Sequence, residues 1–247
     1  MNKILKNITS QEWLVGIAVA LLTYVVISNR KPSQSNKNRA VATIKNKKPK
    51  KILFIGDSHT AIKKKDGTPL TYTYPAILKK ELESKGYTID VLALGGMTTK
   101  WMLDNLPNQL KNNKYDRVYI YGGTNDASNS SIKLETALSN IQKMVDLSRE
   151  NGADVFVIVG YKVEGEKGRL MNWKIMSVKG TLLNKPEEWI PYIEKYQQLQ
   201  KALPETIKNA NFILPYDLQG KTADGIHTTA EGQKIVANIM KESILND

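Results

Sequence analysis

From Lys51 onward the chain alternates short apolar runs with longer segments of helical periodicity, and no other feature restricts its fold as much. Lys51 to Gly56, Thr88 to Ala93, Arg117 to Tyr121, Asp154 to Val159 and Asn211 to Leu214 read as strands. Tyr74 to Lys85, Thr98 to Asn112, Ile132 to Asn151, Glu187 to Leu203 and Thr229 to Ile244 read as helices. Strands that alternate with helices form βα units, because parallel neighbours must be joined by a crossover. The expected fold class is α/β, a three-layer α/β/α sandwich. Gly86 and Gly152 stand where a left-handed residue would close the preceding helices, and Pro204 is expected to end the fourth. Thr228 and Glu231 have capping-box spacing, which predicts a helix starting directly after His227.

Composition limits what can surround this core. A chain of 247 residues suits one sizeable domain with an appendage, and without cysteine it has no disulfide framework and no thiolate chemistry. The formal net charge of +12 invites a nucleic-acid reading until it is located. Residues 30–51 carry nine Lys/Arg and no acid, residues 1–29 add a net +1, and residues 52–247 keep only +2. The basicity therefore belongs to a linker, and no nucleic-acid partner is expected.

Ahead of that linker, Trp13 to Asn29 form 17 uncharged residues, apolar on every side. At about 1.5 Å per residue they reach roughly 25 Å, near the short limit of a membrane span. Residues 1–29 are read as a single-pass transmembrane anchor, with Trp13 and Tyr24 at the interfaces. A cleaved signal peptide and a buried helix are the competing readings, and Val-Ile-Ser-Asn-Arg-Lys is a poor cleavage site. The heavier positive flank lies C-terminal and by the charge rule favours a cytoplasmic domain, and orientation stays open. Residues 30–50, rich in Lys, Asn, Ser and Pro, read as a basic flexible tether, and 51–247 as the folded domain.

In an open, five-stranded, mainly parallel sheet of flavodoxin-like type, functional groups gather at the carboxyl ends of the strands. The first strand leads into Gly56-Asp57-Ser58-His59-Thr60, the second into Gly95-Gly96-Met97-Thr98-Thr99, and the third into Gly122-Gly123-Thr124-Asn125-Asp126. The last leads through Tyr216-Asp217-Leu218 to Ala223-Asp224-Gly225-Ile226-His227. Each segment alone is compatible with an ordinary turn. In this order, each after an expected strand, they resemble the SGNH (GDSL-like) serine hydrolases over about residues 51–245. The resemblance departs in two places: His59 stands where Leu is usual, and no Asn precedes the glycine of the second segment.

The resemblance implies a serine esterase whose catalytic residues are Ser58, Asp224 and His227. Ser58 would be the nucleophile, which is weak without a base. His227 would be that base, held in the right tautomer by Asp224. It also implies an oxyanion hole from the backbone N–H groups of Ser58 and Gly96 and the side-chain amide of Asn125, with Gly96 preferred over Gly95 by alignment of Gly-Met-Thr. His59 is the competitor for the base and is read as pocket wall or surface. Asp57 is expected to bond the turn around Ser58, and Asp126 to serve as a turn or supporting group. No metal-ligand spacing appears and no cofactor is expected.

The stretch Tyr161 to Pro186, with Leu170, Met171, Trp173 and Met176 grouped together, reads either as a lid or substrate-binding insertion or as a decorative or oligomerising one. The expected partners are an ester substrate, an acylated glycan or lipid among the options, and a membrane through the N-terminal helix. O-acetyl groups on envelope polysaccharide or peptidoglycan are the first substrate expectation. A polysaccharide O-acyltransferase with the same triad and a non-catalytic virion or envelope protein are the alternatives.

Overall fold

A computed structural model describes residues 51–162, 177–178, 181–182, 190–223 and 226–246. The expected anchor, tether and most of the 161–186 insertion lie outside these residues, as does Asp224.

The elements in chain order are β1 (Lys51–Gly56), α1 (Tyr74–Leu82), β2 (Thr88–Ala93), α2 (Thr99–Lys111), β3 (Arg117–Tyr121), α3 (Thr124–Ser128) and α4 (Leu134–Glu150). They continue with β4 (Asp154–Ile158), β5 (Ser177–Val178), β6 (Thr181–Leu182), α5 (Ile190–Thr206), β7 (Asn211–Ile213) and α6 (Ala230–Leu245). The main sheet runs β2-β1-β3-β4-β7, and every pairing in it is parallel. β5 and β6 form a separate antiparallel pair. Helices α1 and α6 pack together on one face, and α2, α4 and α5 on the other, which completes three layers.

Burial of the sheet on both faces explains why its central strands are nearly continuous apolar runs rather than alternating ones. Ile52 to Ile55 and Val118 to Tyr121 are fully or almost fully buried. Phe54 stacks on Tyr119 at 4.9 Å and meets Tyr74 edge-on at 5.3 Å, tying β1 to β3 and α1.

Several helix ends follow local chemistry. Gly86 and Gly152 adopt the left-handed conformation, with Gly152 N–H on Arg149 O and Ala153 N–H on Ser148 O closing α4. Two expectations are corrected. α5 does not stop at Leu203 but continues through Pro204 to Thr206. This close to the C-terminus proline removes only one ladder bond, and Leu203 and Ile207, joined by a 3.0 Å backbone bond, are held in the core. The cap of α6 is Thr229, whose hydroxyl accepts from Gly232 N–H at 3.2 Å, and not Thr228. Thr228 Oγ1 instead accepts from Gln233 Nε2, whose amide oxygen takes the Tyr74 N–H at 2.7 Å. That one glutamine fastens the start of α1 to the turn after His227.

Candidate active site

The strand order reverses between β1 and β3, so the crevice at their carboxyl ends is where an open α/β sheet binds its ligand. Ser58 follows β1 and Asn125 follows β3, which places both beside this crevice. The turn that presents Ser58 needs a glycine behind it. A Cβ on Gly56 would stand 2.3 Å from Thr60 Oγ1 and 2.9 Å from the Tyr121 carbonyl, so any side chain would force the chain away from β3. The Asp57 carbonyl accepts from Thr60 N–H (3.1 Å) and Ala61 N–H (2.9 Å), while its carboxylate takes the His59 N–H at 3.0 Å. Asp57 thus holds the Ser58 turn from inside, as expected. Burial pushes its carboxyl up to about 7, partly offset by the His59 N–H and the His227 imidazole, while Asp126 adds to the rise.

The second segment is a tight turn, with Met97 N–H on Leu94 O at 3.3 Å and Gly96 at φ +78°. Glycine is the residue that takes this left-handed position without strain, and the turn's own hydrogen bond uses the Met97 N–H rather than that of Gly96. A Cβ on neighbouring Gly95 would lie 3.7 Å from the Ser58 Cβ, so this turn borders the serine. The Asn125 side-chain nitrogen donates to Met97 O at 2.9 Å and reaches Asp57 Oδ2 at a long 3.4 Å. The three segments are therefore bonded to one another.

Asp126 reinforces that link. Its carboxylate takes the Thr99 N–H at 2.9 Å and the Thr99 hydroxyl at 2.5 Å, capping α2 where no side chain of its own does so. The expectation of a supporting role fits this geometry. Lys195 of α5 extends the support, its ammonium donating to the carbonyls of Asp126, Asn129 and Ile132 at 2.9, 2.7 and 2.5 Å. Sequence reading did not single out Lys195, and one lysine among many carries no local signal.

His227 sits on a short antiparallel return. Thr222 bridges Thr228, Ala223 N–H bonds the His227 carbonyl at 2.8 Å, and Thr229 N–H bonds the Lys221 carbonyl at 2.9 Å. Its ring lies 6.0 Å from that of His59 and nearly parallel to it. Only His227 is exposed, whereas His59 is 3% exposed and packed against Tyr121 and Tyr161. His59 is therefore wall rather than surface. Asp224 lies outside the described residues, so the orienting acid has no geometry here. Among the described residues no group of His, Asp and Glu could hold a metal ion. A concavity of about 580 Å³ at the other end of the sheet, lined by Pro107, Leu110 and Leu147 among others, contains none of these groups.

Solved structures share the architecture. TesA is matched at 22% identity and a TM-score of 0.55, covering 80% of this chain and 99% of that one. The psychrotrophic esterase EstA from Pseudoalteromonas sp. gives 19% and 0.53 with coverages of 80% and 99%. An acetylxylan esterase from Geobacillus stearothermophilus gives 16% and 0.56 with coverages of 79% and 94%. At these identities the likeness speaks for the fold alone. No curated protein sequence matches. The model of the GDSL-like lipase/acylhydrolase family, however, matches residues 54–235, from within β1 into α6 and across all four motif segments. This chain belongs to that family, the SGNH-type serine ester hydrolases.

Proposed function

We propose that this protein is a membrane-anchored esterase that hydrolyses carboxylic esters through an acyl-enzyme on Ser58, with O-acetyl groups of cell-envelope polysaccharide or peptidoglycan as substrate. The observation that carries the reading is the meeting of the Ser58 turn, the Gly95-Gly96 turn and Asn125 at the crevice, with the His227 ring 6.0 Å from that of His59, the residue after Ser58. In this reading Ser58 Oγ attacks the acyl carbon while His227 takes its proton, and the alcohol leaves with that proton. Water then adds to the acyl-enzyme, giving its proton to His227, and the acid departs as Ser58 is reprotonated. The Ser58 and Gly96 N–H groups and the Asn125 amide would receive the oxyanion, which would replace the long Asn125–Asp57 contact. Asp224 would orient His227.

Anchoring rests on residues 13–29 of the sequence; among the described residues no helix is long and apolar enough to cross a membrane. A polymer at the cell envelope suits an enzyme on a tether of some twenty residues (30–50). Labelling of the full chain with a fluorophosphonate tests the nucleophile: an adduct on Ser58, lost in Ser58→Ala, is expected. A folded protein that takes no label would favour a binding role for the fold. Acetate release from an acetylated glycan in water, without acyl transfer to a second glycan, separates hydrolase from acyltransferase.

A further inference from the structure

Between the Ser58 turn and α1 the chain makes a short hairpin that the catalytic reading leaves unused. Lys63 bridges Pro69, Lys64 N–H bonds the Thr68 carbonyl at 2.9 Å, and Leu70 N–H bonds the Ile62 carbonyl at 2.8 Å. Gly67 N–H closes the tip on Lys64 O at 3.0 Å, and Asp66 Oδ1 accepts the Thr68 N–H at 2.9 Å. The tip is thus a built element, and it presents Lys63, Lys64 and Lys65 to solvent.

The charge on this hairpin is local rather than general. Residues 52–247 total only +2, yet three consecutive lysines against Asp66 put that whole excess on four residues. Asp66 is engaged with Thr68 and lies within the field of Lys64. Among the described residues no carboxylate forms an ion pair with Lys63, Lys64 or Lys65. The placement is also specific. A Cβ on Gly96 would meet Lys65 Nζ at 3.7 Å, and Gly96 is next to Gly95, whose own Cβ position is 3.7 Å from the Ser58 Cβ. Among the described residues, an ammonium with no carboxylate partner therefore stands against the Gly95-Gly96 turn that borders Ser58.

We propose that the Lys63–Lys65 hairpin is a subsite for anionic groups, so that the enzyme favours acyl esters carried on an acidic glycan over those on a neutral one. This deepens the esterase reading and rests on it for the reaction, but binding at the hairpin is independent of turnover. Cationic side chains beside a reactive centre raise the local concentration of anionic substrate and fix its register, and exposed charges lose that effect in salt.

The test uses the full chain and two polymers: O-acetylated polygalacturonate, and the same polymer with its carboxylates converted to amides. Acetate release is expected to show kcat/KM about 10-fold higher on the acidic polymer at low salt. That ratio should fall towards one in about 0.5 M NaCl and in the triple variant Lys63→Gln, Lys64→Gln, Lys65→Gln. Equal kcat/KM on the two polymers, or a preference that survives the triple substitution, overturns the subsite. Calorimetric binding of unacetylated polygalacturonate to Ser58→Ala protein separates the two levels of the claim. Binding that weakens on adding the three Lys→Gln changes supports the subsite even if neither polymer releases acetate, an outcome that would sink only the hydrolase reading. No binding to Ser58→Ala protein, or binding indifferent to the lysines, overturns the subsite.

Discussion

Asp57 is the residue whose environment departs furthest from what its sequence neighbours suggest. It precedes the proposed nucleophile, lies wholly out of water, and has its carboxyl raised from 3.8 to about 7 chiefly by burial. Between those two values the folded state keeps a proton that the unfolded chain has lost, so folding stability falls as pH rises through this window and the loss is complete above it. Asp57→Asn keeps an acceptor for the His59 N–H and removes the charge. The wild-type urea midpoint should drop between pH 5 and pH 8 while that of the variant holds, a difference on the order of a few kcal/mol. Parallel midpoints would show that burial does not hold the proton. Asn125 acts at the same scale but on rate. If its amide meets the oxyanion, Asn125→Ala lowers kcat about 100-fold with KM little changed, and a comparable loss in KM instead would mark it as a ground-state contact.

At the scale of elements, the site depends on how the segments brace one another. Asp126 caps α2, and α5 clasps the α3 region through Lys195, whose ammonium bonds three backbone carbonyls, those of Asp126 and Asn129 also accepting a turn N–H and that of Ile132 lying in a partly buried place. Replacing Lys195 by Met keeps the stem and removes the donors, so destabilisation of about 1–3 kcal/mol is expected. Faster hydrogen exchange at residues 126–132 than elsewhere in the fold would localise the loss, and uniform exchange across the sheet would contradict it. The end of α5 shows where local rules stop. Proline ends a helix when it removes bonds that nothing replaces, but near the end of α5 the buried Leu203 and Ile207 outweigh one missing bond.

For the whole molecule, the proposed anchor and the folded domain should separate physically. Full-length protein is expected to sediment with membranes and to need detergent for release, and a chain beginning at residue 50 to remain in the supernatant. Carbonate extraction of the full-length protein at high pH would count against a spanning helix.

The sequence by itself determined the order of the five main-sheet strands and the five long helices and the motif positions, because apolar periodicity and turn residues are written locally; all five main-sheet strands stand within a residue of where that pattern puts them, while the short α3 and the β5–β6 pair were not legible. It also carried the family, since the four motif segments fall inside the span the family model matches. Only the tertiary structure decided what those segments touch. The burial of Asp57, the stacking of His59 behind His227, the clasp of Lys195 and the approach of Lys65 to Gly96 follow from packing, and the last three join groups dozens of residues or more apart. Such contacts arise from the packing of layers, and no periodicity along the chain records them.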